Sequence, residues 1–448
     1  MKKVITYGTY DLLHYGHIRL LERAKELGDY LIVGVTADDY DKTRGKINVQ
    51  QPLMERIEAV RSTGLADEII IEEYEGQKID DILKYDVDVF TVGSDWMGKF
   101  DYLKEYCEVV YLDRTKGVSS SELRAEDRKI RIGIVGNLKN IQKFIKEAMY
   151  VNGVEIKGIC TNEVSLSKNS FPEIECLTDD YSELLQYVDA VYIISHPLYH
   201  YSQIKEALGM KKHVLCESPM ALKEEECKEL FDYAQKQECI LMEAIKTAYS
   251  TAYSRLMLLA KTGKIGDIIS VDAVCTSLQI TEDMNIDVNK TWSSICSWGP
   301  TALLPIFQLL GTSYKNKVMV SQMYGESNKF DVFTKIDFIY DNAVASVKVG
   351  KGVKSEGQLI ITGTKGYIYV PAPWWKTDYF EVRYEDMENN QRYFYQLDGE
   401  GIRYEIVAFA KAISTGKYNK YLPRDISSAI SNIMDSFYYR EDEVIRIN

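Results

Sequence analysis

No stretch of about 18 apolar residues occurs anywhere in the chain, so the sequence offers no candidate transmembrane helix. The opening segment MKKVITYGTYDLLHYGH carries two lysines, but Gly8, Asp11 and His14 interrupt any apolar core of signal-peptide length. It reads as a first β-strand, and a cytoplasmic location is expected. None of the eight cysteines forms a CxxC pair. That leaves neither a zinc-site pattern nor a disulfide framework, so reduced thiols and no structural metal are expected. Positive charge is also short. The 54 Lys and Arg stand against 67 Asp and Glu, a formal net charge of −13. Such a balance repels a phosphate backbone and argues against bulk nucleic-acid binding. Gly/Ser-rich or Pro-rich linkers, fixed-period repeats and low-complexity tracts are missing too, so any joints between domains are short.

What is present is ordinary globular composition, 46% hydrophobic and 27% charged over 448 residues. That length suggests about three domains. Residues 2–7, 30–36, 68–72, 87–92 and 108–112 read as strands, and 17–27, 53–62 and 78–85 as helices. Gly28 takes the place of a helix C-cap glycine. This alternation predicts a parallel, doubly wound α/β sheet over residues 1–128. A short helix is expected around 120–130. The pattern restarts with RIGIVG at 131–136 and continues through 154–160, 189–194 and 213–216, with helices at 140–149, 181–187 and 201–208. A second Rossmann-like domain is expected over 129–248. From about 268 long β-rich segments dominate, and helices at 403–414 and 425–438 close the chain. An α+β domain with a large, mostly antiparallel sheet is expected over 249–448.

The most informative segment follows the first strand: Gly8-Thr9-Tyr10-Asp11-Leu12-Leu13-His14-Tyr15-Gly16-His17. It lies at the carboxyl end of a strand and opens a helix, which is where open α/β sheets bind ligands and where free backbone N–H groups favour an anion. His14 and His17 can converge on one phosphate, and Gly16 permits close backbone approach. Two histidines capping a helix are the bland alternative, and the strand-Gly-Thr context argues against it. After the last strand of the unit comes Arg114-Thr115-Lys116-Gly117-Val118-Ser119-Ser120-Ser121, with capping-box spacing from Ser119 to Glu122. Capping and phosphate binding are compatible. Arg44-Gly45-Lys46 forms a polar loop able to reach an anion.

These residues resemble the glycerol-3-phosphate cytidylyltransferase family. The similarity runs through most of residues 1–125, including HYGH at 14–17, GSDW at 93–96 and RTKGVSSS at 114–121. The resemblance implies that a phosphate oxygen of a small polyol phosphate, foremost glycerol 3-phosphate, attacks the α-phosphorus of CTP and expels pyrophosphate. That reaction rests on positioning and charge neutralisation. By the resemblance, His14, His17, Lys46 and Arg114 stabilise the triphosphate and the developing charge. Thr9 and Asp11, with Gly8, Tyr10 and Gly16, shape the turn and the acceptor site. Thr115, Ser119 and Ser120 bind phosphate oxygens or the nucleotide. Asp95 accepts a hydrogen bond from the cytosine amino group, and Arg61 falls where the family has a substrate-binding arginine. Mg2+ accompanies CTP, held largely by phosphate oxygens. Tyr15 stands where the family commonly has tryptophan. The product, CDP-glycerol, would feed synthesis of a surface glycopolymer.

Residues 130–440 are similar to the Gfo/Idh/MocA family of NAD(P)-dependent oxidoreductases. The similarity is carried by RIGIVG, by Asp189-Ala-Val-Tyr-Ile-Ile-Ser-His-Pro-Leu-Tyr-His200 and by Lys212-His-Val-Leu-Cys-Glu217-Ser218-Pro219. The chemistry diverges at three places. After Gly136 and Asn137, Leu138 and Ile141 occupy the second and third glycine positions of a dinucleotide loop. Glu217-Ser218-Pro219 replaces the family's Glu-Lys-Pro and loses its cation. Ser297 and Thr301 fall near the family's acid–base positions, and neither is a competent general base. The reading is therefore a cytidylyltransferase joined to a catalytically degenerate region that is expected not to bind NAD(P). The alternatives are a bifunctional enzyme whose second half oxidises or reduces a polyol precursor, and a non-catalytic binding or dimerisation scaffold. His196, His200 and the Trp374-Trp375 pair are first read as structural. Both families commonly dimerise, so a homodimer or larger homo-oligomer is expected.

Overall fold

The computed structural model describes residues 1–448 except 38–48, 50, 75, 114–128, 152, 164–170, 172–173, 281–290, 326–328, 396, 398, 417–420 and 448, and the side chains of 138, 139 and 441. The expected helix around 120–130, and Arg44, Lys46, Arg114, Thr115, Ser119 and Ser120, lie outside the described residues. The chain forms two compact units, Met1–Lys129 and Ile130–Asn448.

The first unit is a five-stranded sheet, all parallel, in the order β3-β2-β1-β4-β5. Its strands are β1 (Lys3–Gly8), β2 (Tyr30–Thr36), β3 (Glu68–Glu72), β4 (Val89–Gly93) and β5 (Glu108–Leu112). Helices α1 (Tyr15–Lys25), α2 (Leu53–Ser62) and α3 (Gln77–Tyr85) connect them. The central strands are apolar on both faces because helices cover both: Val4, Ile5, Leu31, Ile32, Val33 and Phe90 are fully buried. Gly28 plays a different part from the one expected. Helix α1 ends at Lys25 with Glu26 as a right-handed cap. A Cβ at Gly28 would lie 2.5 Å from the Lys2 carbonyl oxygen and 2.7 Å from Val4 Cγ2. The glycine is needed where the chain passes β1, not to cap the helix.

The second unit begins with a six-stranded parallel sheet in the order β11-β10-β9-β6-β7-β8. These strands are β6 (Ile130–Gly136), β7 (Val154–Cys160), β8 (Cys176–Thr178), β9 (Ala190–Ile194), β10 (His213–Glu217) and β11 (Leu241–Ala244). Between them lie α4 (Leu138–Ala148), α5 (Tyr181–Tyr187), α6 (Pro197–Gly209) and α7 (Glu224–Lys236). After α8 (Lys246–Tyr249) and α9 (Thr251–Lys261) the chain builds a ten-stranded mixed sheet. Its strands are β12 (Ile268–Leu278), β13 (Asn316–Met323), β14 (Asp331–Ile339), β15 (Val344–Gly350), β16 (Gly352–Val353), β17 (Leu359–Gly363), β18 (Tyr367–Val370), β19 (Tyr379–Arg383), β20 (Gln391–Phe394) and β21 (Val444–Ile447). Pairing is antiparallel except for β12 with β15 and β13 with β21. Helix α10 (Ser294–Leu310) packs on this sheet against β12, β14 and β15. It runs through Pro300 and Pro305, and burial of Leu303, Leu304, Ile306 and Phe307 overrides the helix-breaking preference of proline. Helices α11 (Ile402–Thr415) and α12 (Arg424–Tyr439) complete the unit.

Trp374 anchors the loop after β18. It is fully buried, and its indole nitrogen donates to the Val274 carbonyl at 3.0 Å. Trp374→Ala is expected to cost about 3–5 kcal/mol through the lost ring and the orphaned carbonyl. A large drop in the urea midpoint of the second unit's transition is the expected readout; an unchanged midpoint would contradict this packing.

Candidate functional site

The residues after β1 are held in a tight turn. Tyr10 and Leu12 take positive φ angles of 53° and 49°, so the turn is strained for side-chain-bearing residues. Tyr10 is almost fully buried, and its ring lies on Gly8, where a Cβ would approach to 3.0 Å. Asp11 is 3% exposed and accepts from the Gln51 backbone N–H at 2.9 Å, while the Leu12 N–H donates to Gln51 Oε1 at 2.7 Å. The turn is therefore tied to the segment that leads into α2.

His14 is the N-cap of α1, and its Nδ1 accepts from the Gly16 N–H at 3.0 Å. That bond leaves Nε2 to carry the donor hydrogen in the neutral ring. The His14 and His17 rings stack with centroids 3.9 Å apart and 20° between planes, and Tyr10 meets His17 edge-on at 5.5 Å. Two imidazoles and a helix start are thus gathered at the carboxyl end of β1. Strand β1 is the neighbour of β4, so the 3-10 turn Ser94–Trp96 that carries Asp95 follows the adjacent strand. The chain winds away from β1 and β4 in opposite directions, the crevice where such sheets place ligands. Asp95 is exposed, and Trp96 packs on Phe100 with centroids 5.8 Å apart.

Arg61 is not brought to this turn. It lies exposed on α2 and pairs with Glu58. The arginine of that helix that does reach the turn is Arg56, which the sequence reading missed. Arg56 is fully buried; Nη1 donates to the carbonyls of Thr9 at 2.6 Å and Thr36 at 2.9 Å, and Nε donates to Gln51 O at 3.0 Å. A buried polar chain continues from there. Thr36 Oγ1 donates to Glu72 at 2.8 Å, Glu72 pairs with Lys78, and the Lys78 ammonium lies over the Tyr7 ring at 4.7 Å and the Phe100 ring at 5.5 Å. Tyr7 donates to Asp81 at 2.9 Å, and burial together with that carboxylate pushes the phenol far above its usual range. For Arg56, Lys78 and Asp81 the sequence signal was charge inside otherwise amphipathic helices; Tyr7, Thr36 and Glu72 lie on strands and gave none.

In the second unit Gly136 has φ of 155°, and a Cβ there would lie 2.5 Å from Ile194 Cγ2, so glycine is required. Asn137 caps α4 by accepting from the Asn140 N–H at 3.1 Å. Ile141 is fully buried in the core. Glu217 accepts from the Tyr192 hydroxyl, and the Ser218 hydroxyl is engaged by Glu243. The Pro219 carbonyl and the Ser195 carbonyl lie 2.8 and 2.9 Å from the two ring nitrogens of His200, which is fully buried and whose pKa burial lowers to about 4. His196 caps α6 and accepts from the Leu198 N–H at 3.4 Å. Ser297 donates to the Trp292 carbonyl at 3.5 Å. His200 is thus a structural tie, and Trp374 is a core anchor.

Among the described residues, no group of three or more His, Cys, Asp or Glu side chains is placed to hold a metal, and no helix is long and apolar enough to cross a membrane. A cytidylyltransferase-like family model matches residues 5–127, and a model of the oxidoreductase family with an NAD-binding Rossmann fold matches residues 130–245. The glycerol-3-phosphate cytidylyltransferase of Bacillus spizizenii is 52% identical over 126 residues, covering 28% of this chain and 97% of that protein. Its counterpart from Staphylococcus aureus is 51% identical over 130 residues, covering 28% of this chain and 95% of that protein. Among solved structures, KijD10, a 3-ketoreductase from Actinomadura kijaniata solved with NADP and TDP-benzene, aligns with a TM-score of 0.62 at 18% identity, over 71% of this chain and 99% of its own. A levoglucosan dehydrogenase aligns with a TM-score of 0.60 at 16% identity, over 70% of this chain and 97% of its own. These two likenesses establish the fold of the second unit.

The Arg56 tie generates a stability prediction. Arg56→Met removes the donor from three carbonyl oxygens, two of them in buried contacts, and is expected to destabilise the first unit by about 3 kcal/mol, with Arg56→Lys recovering only part of it. Chemical denaturation followed by far-UV circular dichroism checks this; a neutral Arg56→Met would contradict the tie.

Proposed function

Because the chain belongs, through its first unit, to the glycerol-3-phosphate cytidylyltransferase family, we propose that it transfers CMP from CTP to a small polyol phosphate, foremost glycerol 3-phosphate, releasing pyrophosphate. The observation that carries this reading is the stacked His14–His17 pair at the N-terminus of α1, beside the Asp95 turn.

The acceptor phosphate oxygen attacks the α-phosphorus in line. His14 Nε2–H and His17 face the phosphates and take up charge as it moves onto the leaving pyrophosphate. The buried ties of Asp11 and Arg56 hold the turn in place beforehand, so little reorganisation is needed during the reaction. Lys46, Arg114, Thr115, Ser119 and Ser120 are assigned to phosphate and nucleotide binding on the strength of the sequence resemblance. Asp95 is assigned to the cytosine amino group. Arg61, exposed and paired with Glu58, is a weaker candidate than its resemblance suggests. Mg2+ is assigned to the triphosphate, where it would supply charge neutralisation.

For the second unit we propose no hydride transfer. The buried Ile141 and the Ser218 hydroxyl engaged by Glu243 do not fit a dinucleotide site with a cationic acid–base partner. We assign the protein to the cytoplasm and propose that it self-associates through the outer face of the ten-stranded sheet. That face carries Ile339 and Val344, 45% and 50% exposed, beside the Lys335–Asp337 pair at 2.8 Å. Mixed charges around apolar contacts suit a two-fold interface with a second copy.

Pyrophosphate release from CTP, with Mg2+ and a panel of polyol phosphates, is the test. Turnover with glycerol 3-phosphate is expected for the wild type, with a loss of at least about 100-fold in His17→Ala. Wild-type protein inactive with every acceptor, or His17→Ala at full activity, would sink the reading.

A further inference from the structure

In the first unit the chain leaves the sheet at Gly93, the end of β4, and returns at Glu108, the start of β5. Between them lie the 3-10 turn Ser94–Trp96, which carries Asp95, and a second 3-10 turn, Asp101–Glu105. Leu103 is fully buried and roots the far end of this excursion. The tip is exposed at Asp95, Met97, Gly98 and Lys99, and Gly98 takes a φ of 82°. Within the tip the Met97 and Lys99 N–H groups donate to the Ser94 and Trp96 carbonyls, both at 3.0 Å. Ring contacts support it from the side. The Lys99 ammonium lies over the Trp96 ring at 4.9 Å, Trp96 packs on Phe100, and Phe100 rests on Phe90 with centroids 5.2 Å apart.

The polar tie between this tip and the sheet is Tyr111 of β5. By the strand register it stands beside Val92, one residue before β4 ends. Its hydroxyl oxygen accepts from the Phe100 N–H at 3.2 Å, and the hydroxyl donates to Asp101 Oδ1 at 2.9 Å. Lys104 holds the same carboxylate from the other side at 3.0 Å. One phenol thus spends its lone pair and its proton on two successive residues of the excursion. The strand that ends the excursion therefore closes it, next to the point where it began. A phenylalanine at 111 would keep the ring and lose both bonds.

We propose that Tyr111 is a positioning residue of the base site: its hydroxyl holds the Phe100–Asp101 end of the tip so that Asp95 meets the cytosine amino group, and it thereby sets the preference for CTP over UTP. The proposal rests on the transferase reading and on the assignment of Asp95 made with it. Cytosine offers an amino hydrogen to the carboxylate, whereas uracil presents a carbonyl oxygen there, which the carboxylate repels. Loosening the tip costs the CTP contact and costs UTP nothing. His14 and His17 stand on a different turn, after β1, so the phosphate chemistry is left as it was. The effect falls on nucleotide affinity and not on turnover.

The test is calorimetric titration of CTP and UTP, with Mg2+, into the full chain, alongside pyrophosphate release at varied CTP and varied glycerol 3-phosphate. Tyr111→Phe is expected to raise the Kd and KM of CTP about fivefold. The kcat, the KM of glycerol 3-phosphate and the Kd of UTP are expected to stay at their wild-type values, so the ratio of CTP to UTP affinity narrows. Asp101→Ala removes the other half of the same bond and is expected to act in the same direction, with the double variant no weaker than the weaker of the two. Far-UV circular dichroism reports whether each variant is folded; should Tyr111→Phe fail to fold, Asp101→Ala, at an exposed carboxylate, carries the same test. Unchanged CTP affinity, a loss of kcat with affinity intact, an equal loss for CTP and UTP, or an additive double variant overturns the proposal. Wild-type protein that binds no CTP overturns the transferase reading itself, a result visible before any variant is compared.

Discussion

A single buried guanidinium organises the first unit. Arg56 gathers carbonyl oxygens from the turn after β1, from the end of β2 and from the segment before α2. Those carbonyls belong to three separate stretches of chain, and Arg56 reinforces the bonds that Asp11 and Leu12 make to Gln51 and the pairing of β1 with β2. Burying an arginine is unfavourable unless its donors are satisfied, and here they are satisfied by fixing the relative positions of the pieces that present His14 and His17. The strained φ angles at Tyr10 and Leu12 persist because this surrounding frame over-determines them. The histidine turn is therefore stiff by construction, which suits the proposed chemistry, in which two phosphates are placed and no covalent intermediate forms.

The polar chain beyond Arg56 extends that stiffness sideways. Thr36, Glu72 and Lys78 carry it from β2 through β3 to α3, and the aromatic contacts of Lys78 bring it to Phe100, on which Trp96 rests. The histidine turn and the Asp95 turn stand on one connected floor. In the second unit the strand ends are polar by different means: Glu217 accepts from the Tyr192 hydroxyl, and Ser218 is engaged by Glu243.

Much of this was legible in the sequence. Runs such as YLIVGVT and EIIIE are apolar enough, and short enough, to be read as buried parallel strands, and β2 and β3 coincide with them. HYGH after a strand and a glycine singled out the candidate site, and the structure stacks its two histidines at the start of α1. Arg56 was not legible. It shares α2 with Arg61, and the two point about 140° apart around the helix, so only the packing decides which one faces inward. Helix α10 was hidden by its own glycine and prolines.

Gly28 shows how far a site can depend on something that is not there. Its missing side chain sets the distance between the end of the α1 loop and the backbone of Lys2, at the root of the strand that carries the histidine turn. Any larger residue would act as a wedge between that loop and the start of β1. Because β1 pairs with β2 on one side and β4 on the other, a displacement of β1 would move the histidine turn relative to the Asp95 turn. The placing of the candidate groups thus depends on the opposite end of the sheet, on a gap one hydrogen wide.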